Sequence, residues 1–266
     1  MKFINSIGDK AKDTLLQSIA ALLEKNPQSN LPKIVKMSKL LVSDKSSCDM
    51  IKDFETSYNE VPDFKAYVDD LINNTDYKIL KNFIVNILGS NISPKKKNHI
   101  FLSENSSQPR SLIINSNSKN QDLKTLNYNE LDKIISESRK MGIFAFIING
   151  SELFSLNYLH NIYEKYSDSL FIPVATGNCI DDSLCKKILK CGNVIPLFPS
   201  KNSCSDMLRQ NGIPSFNINY IHSLFKKAKF NNDFSNLKTF SLEFNDSTQN
   251  EFTTYSLLDL VKNKSM

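Results

Sequence analysis

At 266 residues and 40% hydrophobic content, the chain is long enough to bury a sizeable core, as one barrel-like domain with an appendage or as two small domains. Its 33 basic residues exceed 28 acidic ones for a net charge of +5, but the lysines are scattered, with one run at Lys95-Lys96-Lys97, which reads as a solvated surface and not a nucleic-acid face. No apolar stretch is long enough to span a bilayer, Met1-Lys2-Phe3-Ile4-Asn5 opens no signal-peptide core, and five cysteines without framework spacing fit reduced thiols, so a cytoplasmic protein without disulfides is expected.

From Asp9 to about Leu88 the pattern is helical. Leu15, Leu16, Ile19, Leu22 and Leu23 recur at three- and four-residue steps, forming one face of a helix that ends near Asn26. A second helix is expected to take Asn30 as its cap, Pro32 in its first turn, and Ile34, Met37, Leu40 and Leu41 as its buried stripe. The signal weakens between Asp49 and Tyr58. Pro62 then opens a helix through Phe64, Tyr67, Val68, Leu71 and Ile72. Thr75 or Asp76 caps the last one, which carries Ile79, Leu80, Phe83, Ile84, Ile87 and Leu88 and stops at Gly89. Residues 1–90 therefore predict a small helical bundle. The polar face of the first helix mixes Asp and Glu with Lys, which disfavours peripheral membrane contact.

Residues 91–110, with a Ser-Pro step, the lysine triplet and a Ser/Asn-rich patch, read as a connector. Past it, over 111–266, short β-rich runs alternate with helical stretches. Strands are expected at Leu112–Ile114, Ile143–Ile148, Leu170–Val174, Val194–Phe198 and Phe216–Ile218, and helices at Tyr128–Met141, Leu156–Tyr166, Asp181–Leu189 and Ser205–Asn211. A last strand, Thr239–Phe244, and a helix, Thr254–Val261, close the chain. Such alternation favours parallel strands with helices packed outside, in an open sheet or a partial barrel.

Four strings in this half carry a resemblance. They are Leu126-Asn127-Tyr128-Asn129-Glu130-Leu131-Asp132-Lys133-Ile134-Ile135-Ser136-Glu137 with Met141-Gly142-Ile143, then Asn149-Gly150-Ser151-Glu152-Leu153, then Ala175-Thr176-Gly177-Asn178-Cys179-Ile180-Asp181, and Cys191-Gly192-Asn193-Val194-Ile195-Pro196. In order and spacing they resemble the first barrel helix and second strand, the GGEP segment, the TNGTLID string and the VGNFIP string of the radical S-adenosylmethionine (SAM) family. Leu22-Leu23-Glu24-Lys25-Asn26-Pro27 with Asn30-Leu31-Pro32-Lys33 resembles the helical lead-in of one bacterial branch of that family. The resemblance implies a truncated, open (β/α) partial TIM-type barrel of five to six mainly parallel strands, preceded by the helical bundle.

The departures from that pattern decide the expected function. The family holds a [4Fe–4S] cluster on a CxxxCxxC loop after its first strand, and such clusters are held chiefly by Cys thiolates. Here Pro109–Asn120 stands in that place, and no cysteine occurs between Cys48 and Cys179. Ser151 fills the second glycine of GGEP, which puts a side chain where backbone approaches the ligand, and Leu153 replaces its proline. Pro199-Ser200-Lys201-Asn202 places a lysine near the family's acidic ribose contact. The resemblance thus implies a non-catalytic pseudoenzyme that works as a binding, scaffold or regulatory protein, with no catalytic residue, no metal ligand and neither cluster nor SAM. Asn149, Gly150, Ser151, Glu152, Thr176 and Gly177 would line what remains of the pocket. The alternative is a SAM- or nucleotide-binding protein or enzyme using that pocket without a cluster.

Other site classes are not signalled. Cys179, Cys185, Cys191 and Cys204 are separated by six, six and thirteen residues, which matches no zinc or cluster spacing and fits core packing. His99, His160 and His222 are isolated, and His160 reads as a surface or partner-facing residue. Phosphate loops and nucleophile signatures are absent. An unfinished edge of the parallel sheet is expected to be covered by Leu237–Val261 and by a protein partner or a second copy.

Overall fold

The computed structural model describes residues 9–42, 45–92, 111–115, 127–149, 157–175, 180–199, 203–217, 219–220, 223–224, 239–243 and 252–255. Helix α1 spans Asp9–Lys25 and α2 spans Pro27–Leu41, with Asn26 alone between them. Asn26 is the N-cap, its Oδ1 accepting from the Ser29 N–H at 3.1 Å, while Pro27 takes the first turn, where a missing N–H costs little. Asn30 is therefore not the cap. It lies inside α2, and its side-chain amide donates to the Leu22 carbonyl at 3.1 Å, tying α2 to the end of α1. Pro32 falls within the helix and not in its first turn.

Where the sequence signal weakens, the chain forms a full helix, α3, over Lys45–Glu60. Its apolar stripe is narrow, and tertiary packing completes it: Ile51, Phe54 and Tyr58 pack on the bundle core, with the Phe54 ring edge-on to Phe64 at 5.6 Å. Helices α4, Pro62–Asn74, and α5, Tyr77–Ile92, follow. The Lys78 N–H donates to Asp76 Oδ1 at 2.8 Å, so Asp76 is the residue that caps α5. Gly89 does not stop this helix, which runs two residues into the expected connector. Ile19, Leu23, Leu31, Ile34, Phe64, Val68 and Ile72 form the bundle core.

The second half builds β1 (Ser111–Asn115), α6 (Tyr128–Lys140), β2 (Ala145–Asn149), α7 (Asn157–Lys165), β3 (Leu170–Val174), α8 (Asp182–Cys191), β4 (Leu197–Phe198), α9 (Ser203–Gln210), β5 (Phe216–Asn217), β6 (Thr239–Glu243) and β7 (Phe252–Tyr255). They form one seven-stranded sheet in the order β5-β4-β3-β2-β1-β6-β7, parallel throughout except where β7 pairs antiparallel with β6. The sheet is open and does not close into a barrel. Thr254 and Tyr255, expected to start a helix, belong to β7, where Thr254 faces Phe240 and Tyr255 faces Thr239; residues 256–261 lie outside the described residues. Pairing with β6 and the β-branched and aromatic composition of Phe252-Thr253-Thr254-Tyr255 override the helical reading.

Alternation along the strands divides their side chains between two clusters. Leu112, Ile114, Phe146, Ile148 and Phe171 join Leu131 and Ile135 of α6, Leu159 and Ile162 of α7, and Ile188 of α8 in the main core. Ile113, Ile147 and Val174 form a separate cluster with Ile172 and Leu197.

The helical region meets the sheet at particular points. Ile79 of α5 is part of the main core, and Leu224 is part of the bundle core. Lys78 Nζ donates to the Lys190 carbonyl at 2.6 Å, the Asn82 side-chain amide to the Gly192 carbonyl at 2.8 Å, and the Asp76 N–H to the Gly212 carbonyl at 2.7 Å. Gly192 caps α8 in the left-handed conformation, with φ of 70°, and Gly212 follows α9 with φ of 76°. These contacts fall at the carboxyl ends of α8 and α9, on the side where the chain enters β4 and β5. Among the described residues, none of these three hydrogen bonds falls at the opposite edge, where the strands end.

Candidate functional site

Because β1 to β6 run parallel, their carboxyl ends share one edge. The register places six residues in a single row across it: Glu243, Asn115, Asn149, Val174, Leu197 and Phe216, on β6, β1, β2, β3, β4 and β5. The row changes character halfway. Val174 and Leu197 belong to the smaller apolar cluster, and the Phe216 ring lies 6.4 Å from Phe83 of α5, so that half is occupied by packing. The other half brings two carboxamide residues and one carboxylate residue onto three neighbouring strands.

Topology marks the same place. From β1 the chain proceeds through α6 to β2, and from β6 it proceeds to β7, so it leaves two adjacent parallel strands in opposite directions. In open α/β sheets, ligands bind outside the carboxyl ends of the strands at such a switch point.

Of the residues expected to line a pocket, Asn149 ends β2 and stands in this row. Gly150, Ser151, Glu152, Thr176 and Gly177 lie outside the described residues, in the segments that follow β2 and β3. Asn115 and Glu243 were not signalled. For Asn115 the signal exists in the sequence, since Ile113-Ile114-Asn115 and Ile147-Ile148-Asn149 are the same tripeptide and the sheet aligns them residue for residue. Glu243 is brought in by a pairing between segments far apart in the chain, which local pattern does not reveal.

The described cysteines divide between the bundle and the main core. Cys48 lies in α3 and donates its thiol toward the Val42 carbonyl at 3.9 Å, in the bundle. Cys185 and Cys191 of α8 and Cys204 of α9 are buried in the main core. Burial raises the pKa of the Cys185 thiol, with Asp182 and Asp181 adding to the shift, and pushes that of Cys191 up to about 11, with Glu164 contributing. Both thiols stay protonated at neutral pH, whereas cluster ligation needs thiolates. Cys179 lies outside the described residues. Among the described residues, no three His, Cys, Asp or Glu side chains group as metal ligands.

His160 of α7 is half-buried. Its ring meets Tyr163 edge-on at 6.0 Å, and its buried Nδ1 has no hydrogen-bond partner among the described residues. Burial holds its pKa below the usual value, Lys187 pushes the same way and Glu164 opposes them.

Compared with protein-family models, with curated proteins and with solved structures, the chain matches none. The candidate site therefore stands on the sheet itself. No helix among the described residues is long and apolar enough to cross a membrane.

Proposed function

We propose that this chain is a degenerate radical SAM-like protein that acts by binding, as a scaffold or regulatory partner, and not by catalysis. The observation that carries this reading is the pairing of a one-way winding, β1 through β5 in sequence order, with a β1 exit that has no thiolate to offer. In this reading the open sheet is a partial TIM-type barrel whose cluster loop has gone. What supports it is the order of strands, the family-like strings along α6, from the end of β2 and between α8 and β4, and buried, protonated thiols elsewhere. Anaerobic reconstitution with iron and sulfide tests it. The expected result is no stoichiometric cluster, and a brown, stoichiometric [4Fe–4S] species overturns it.

The polar row at the switch point favours a second reading, a small-molecule-binding protein or enzyme that uses the carboxyl edge without a cluster. SAM at 100 times its dissociation constant would add about 2.7 kcal/mol of stability. The first reading expects no such rise in melting temperature. A clear shift that Glu152→Ala abolishes selects the second.

A further inference from the structure

Glu164 of α7 stands between two groups that can carry positive charge. Its carboxylate is paired with Lys190 Nζ of α8 at 2.8 Å, which ties the two helices together. One turn earlier on α7 is His160, at the i, i+4 spacing that makes two side chains neighbours on a helix surface. His160 feels Lys187 of α8 as well as Glu164 of its own helix, and its ring rests edge-on against Tyr163. Among the described residues these are the charged and titratable groups that face it, and none comes from α6, the other helix packed on α7.

The neutral ring suits this place better than the protonated one. An imidazolium carries a donor on each ring nitrogen, and the buried Nδ1 has no hydrogen-bond partner among the described residues. Lys187 adds a second positive charge from the α8 side. Lys190 holds the Glu164 carboxyl below the ordinary carboxylate range, so Glu164 stays ionised as pH falls through the ordinary histidine value of about 6.5. Over that interval His160 is the group that changes charge. The carboxylate one turn away, already paired with Lys190, is the acceptor that offers itself.

We propose that acidification makes Glu164 exchange Lys190 for His160, trading an ion pair between α7 and α8 for one within α7 and so loosening the two helices from each other. The proton comes from solvent, and the carboxylate keeps one cationic partner throughout. Lys190, released, adds its charge to that of Lys187 against the imidazolium. Burial and Lys187 both weaken proton binding in the packed state, so the packed arrangement is favoured above the histidine range and gives way below it. This device does not depend on whether the chain works as a scaffold or holds a small molecule.

Amide hydrogen exchange of the full chain tests it, read on peptides covering α7 and α8 at about pH 7.5 and 5.5, on either side of the histidine value, and corrected for the intrinsic rate. In the wild-type protein these helices should exchange about two- to fivefold faster at the lower pH, the range that an exposed ion pair commands, while α1 and α2 should not change. His160→Gln should remove the pH dependence. Glu164→Gln, which pairs with neither cation, should exchange at the faster rate already at the higher pH. If His160→Gln fails to fold, Lys187→Gln still decides, because removing the α8 charge should reduce the acid effect. Equal wild-type exchange at the two pH values, an equal acid effect in α1 and α2, slow exchange of Glu164→Gln at the higher pH, or an acid effect undiminished by His160→Gln or by Lys187→Gln would each overturn the proposal.

Discussion

Asn193 is 1% exposed, and its side-chain nitrogen lies 3.0, 3.1 and 3.1 Å from the carbonyls of Tyr163, Tyr166 and Ser169. It joins the end of α7 to the turn before β3 from its own place beside Gly192. Asn193→Ala leaves those buried carbonyls short of a donor, and such a loss costs about 1–3 kcal/mol; urea unfolding is expected to show it as a lower midpoint with an unchanged slope. His160 supplies a pH prediction. Its folded pKa lies below its unfolded value, so the unfolded chain binds the proton more readily. The stability it contributes is present above the ordinary histidine value of about 6.5 and is lost as pH falls below it. His160→Gln should make stability depend less steeply on pH between about pH 7 and 5, and an unchanged slope would remove the histidine from the account. The thiols give a third check. Cys185, Cys191 and Cys204 are buried, whereas Cys48 is half-exposed, so a disulfide reagent applied to the native protein should label Cys48 faster than these three.

At the scale of elements, caps and alternation explain most boundaries. Asn127 and Glu130 form a reciprocal capping box at the start of α6, the Asn127 side chain accepting from the Glu130 N–H at 3.1 Å and the Glu130 carboxylate from the Asn127 N–H at 2.9 Å. Asn127→Ala should cost about 1 kcal/mol, read as a drop in melting temperature. Asp181 caps α8 by accepting from the Leu184 N–H at 2.7 Å, and Gly192 ends it. These helices were legible because the residues that start and stop them act within four positions. Helix α3 was not, because its apolar residues are sparse: Ile51, Phe54 and Tyr58 pack on the bundle core, with the Phe54 ring edge-on to Phe64 of α4. The N-cap of α2 was misread for a related reason: Asn26 and Asn30 are both suitable caps, and only the packing of α1 on α2 chooses between them.

At the scale of the molecule, β6 and β7 are the decisive addition. They place Thr239–Glu243 along β1 in full five-residue register and convert β1 from an edge strand into an interior one. Without them, Leu112, Ile113 and Ile114, all at most 2% exposed, would belong to an open parallel edge. A chain ending at Asn236 should therefore aggregate or lose partner binding; a soluble, monomeric truncated protein with an unchanged melting temperature would show that β6 does no such work. The helical region is joined to the sheet through Lys78, Asn82 and the Asp70–Arg209 ion pair, and at the β5 end of the carboxyl edge through Phe83 against Phe216.

The amino-acid sequence by itself determined the helical character of the first part outside α3, the alternation of the second part before β7 and the missing thiolates after β1, because periodicity, capping chemistry and residue type are local properties. It also repeated Ile-Ile-Asn at the ends of β1 and β2, so part of the candidate row was readable before any strand was paired. Only the tertiary structure decided that β6 returns to β1, that β7 is a strand, and that Glu243 joins Asn115 and Asn149 in one row. The reason is physical: strand pairing is made by backbone hydrogen bonds and shared burial between segments separated by more than a hundred residues, and neither leaves a periodic mark in the segments that pair.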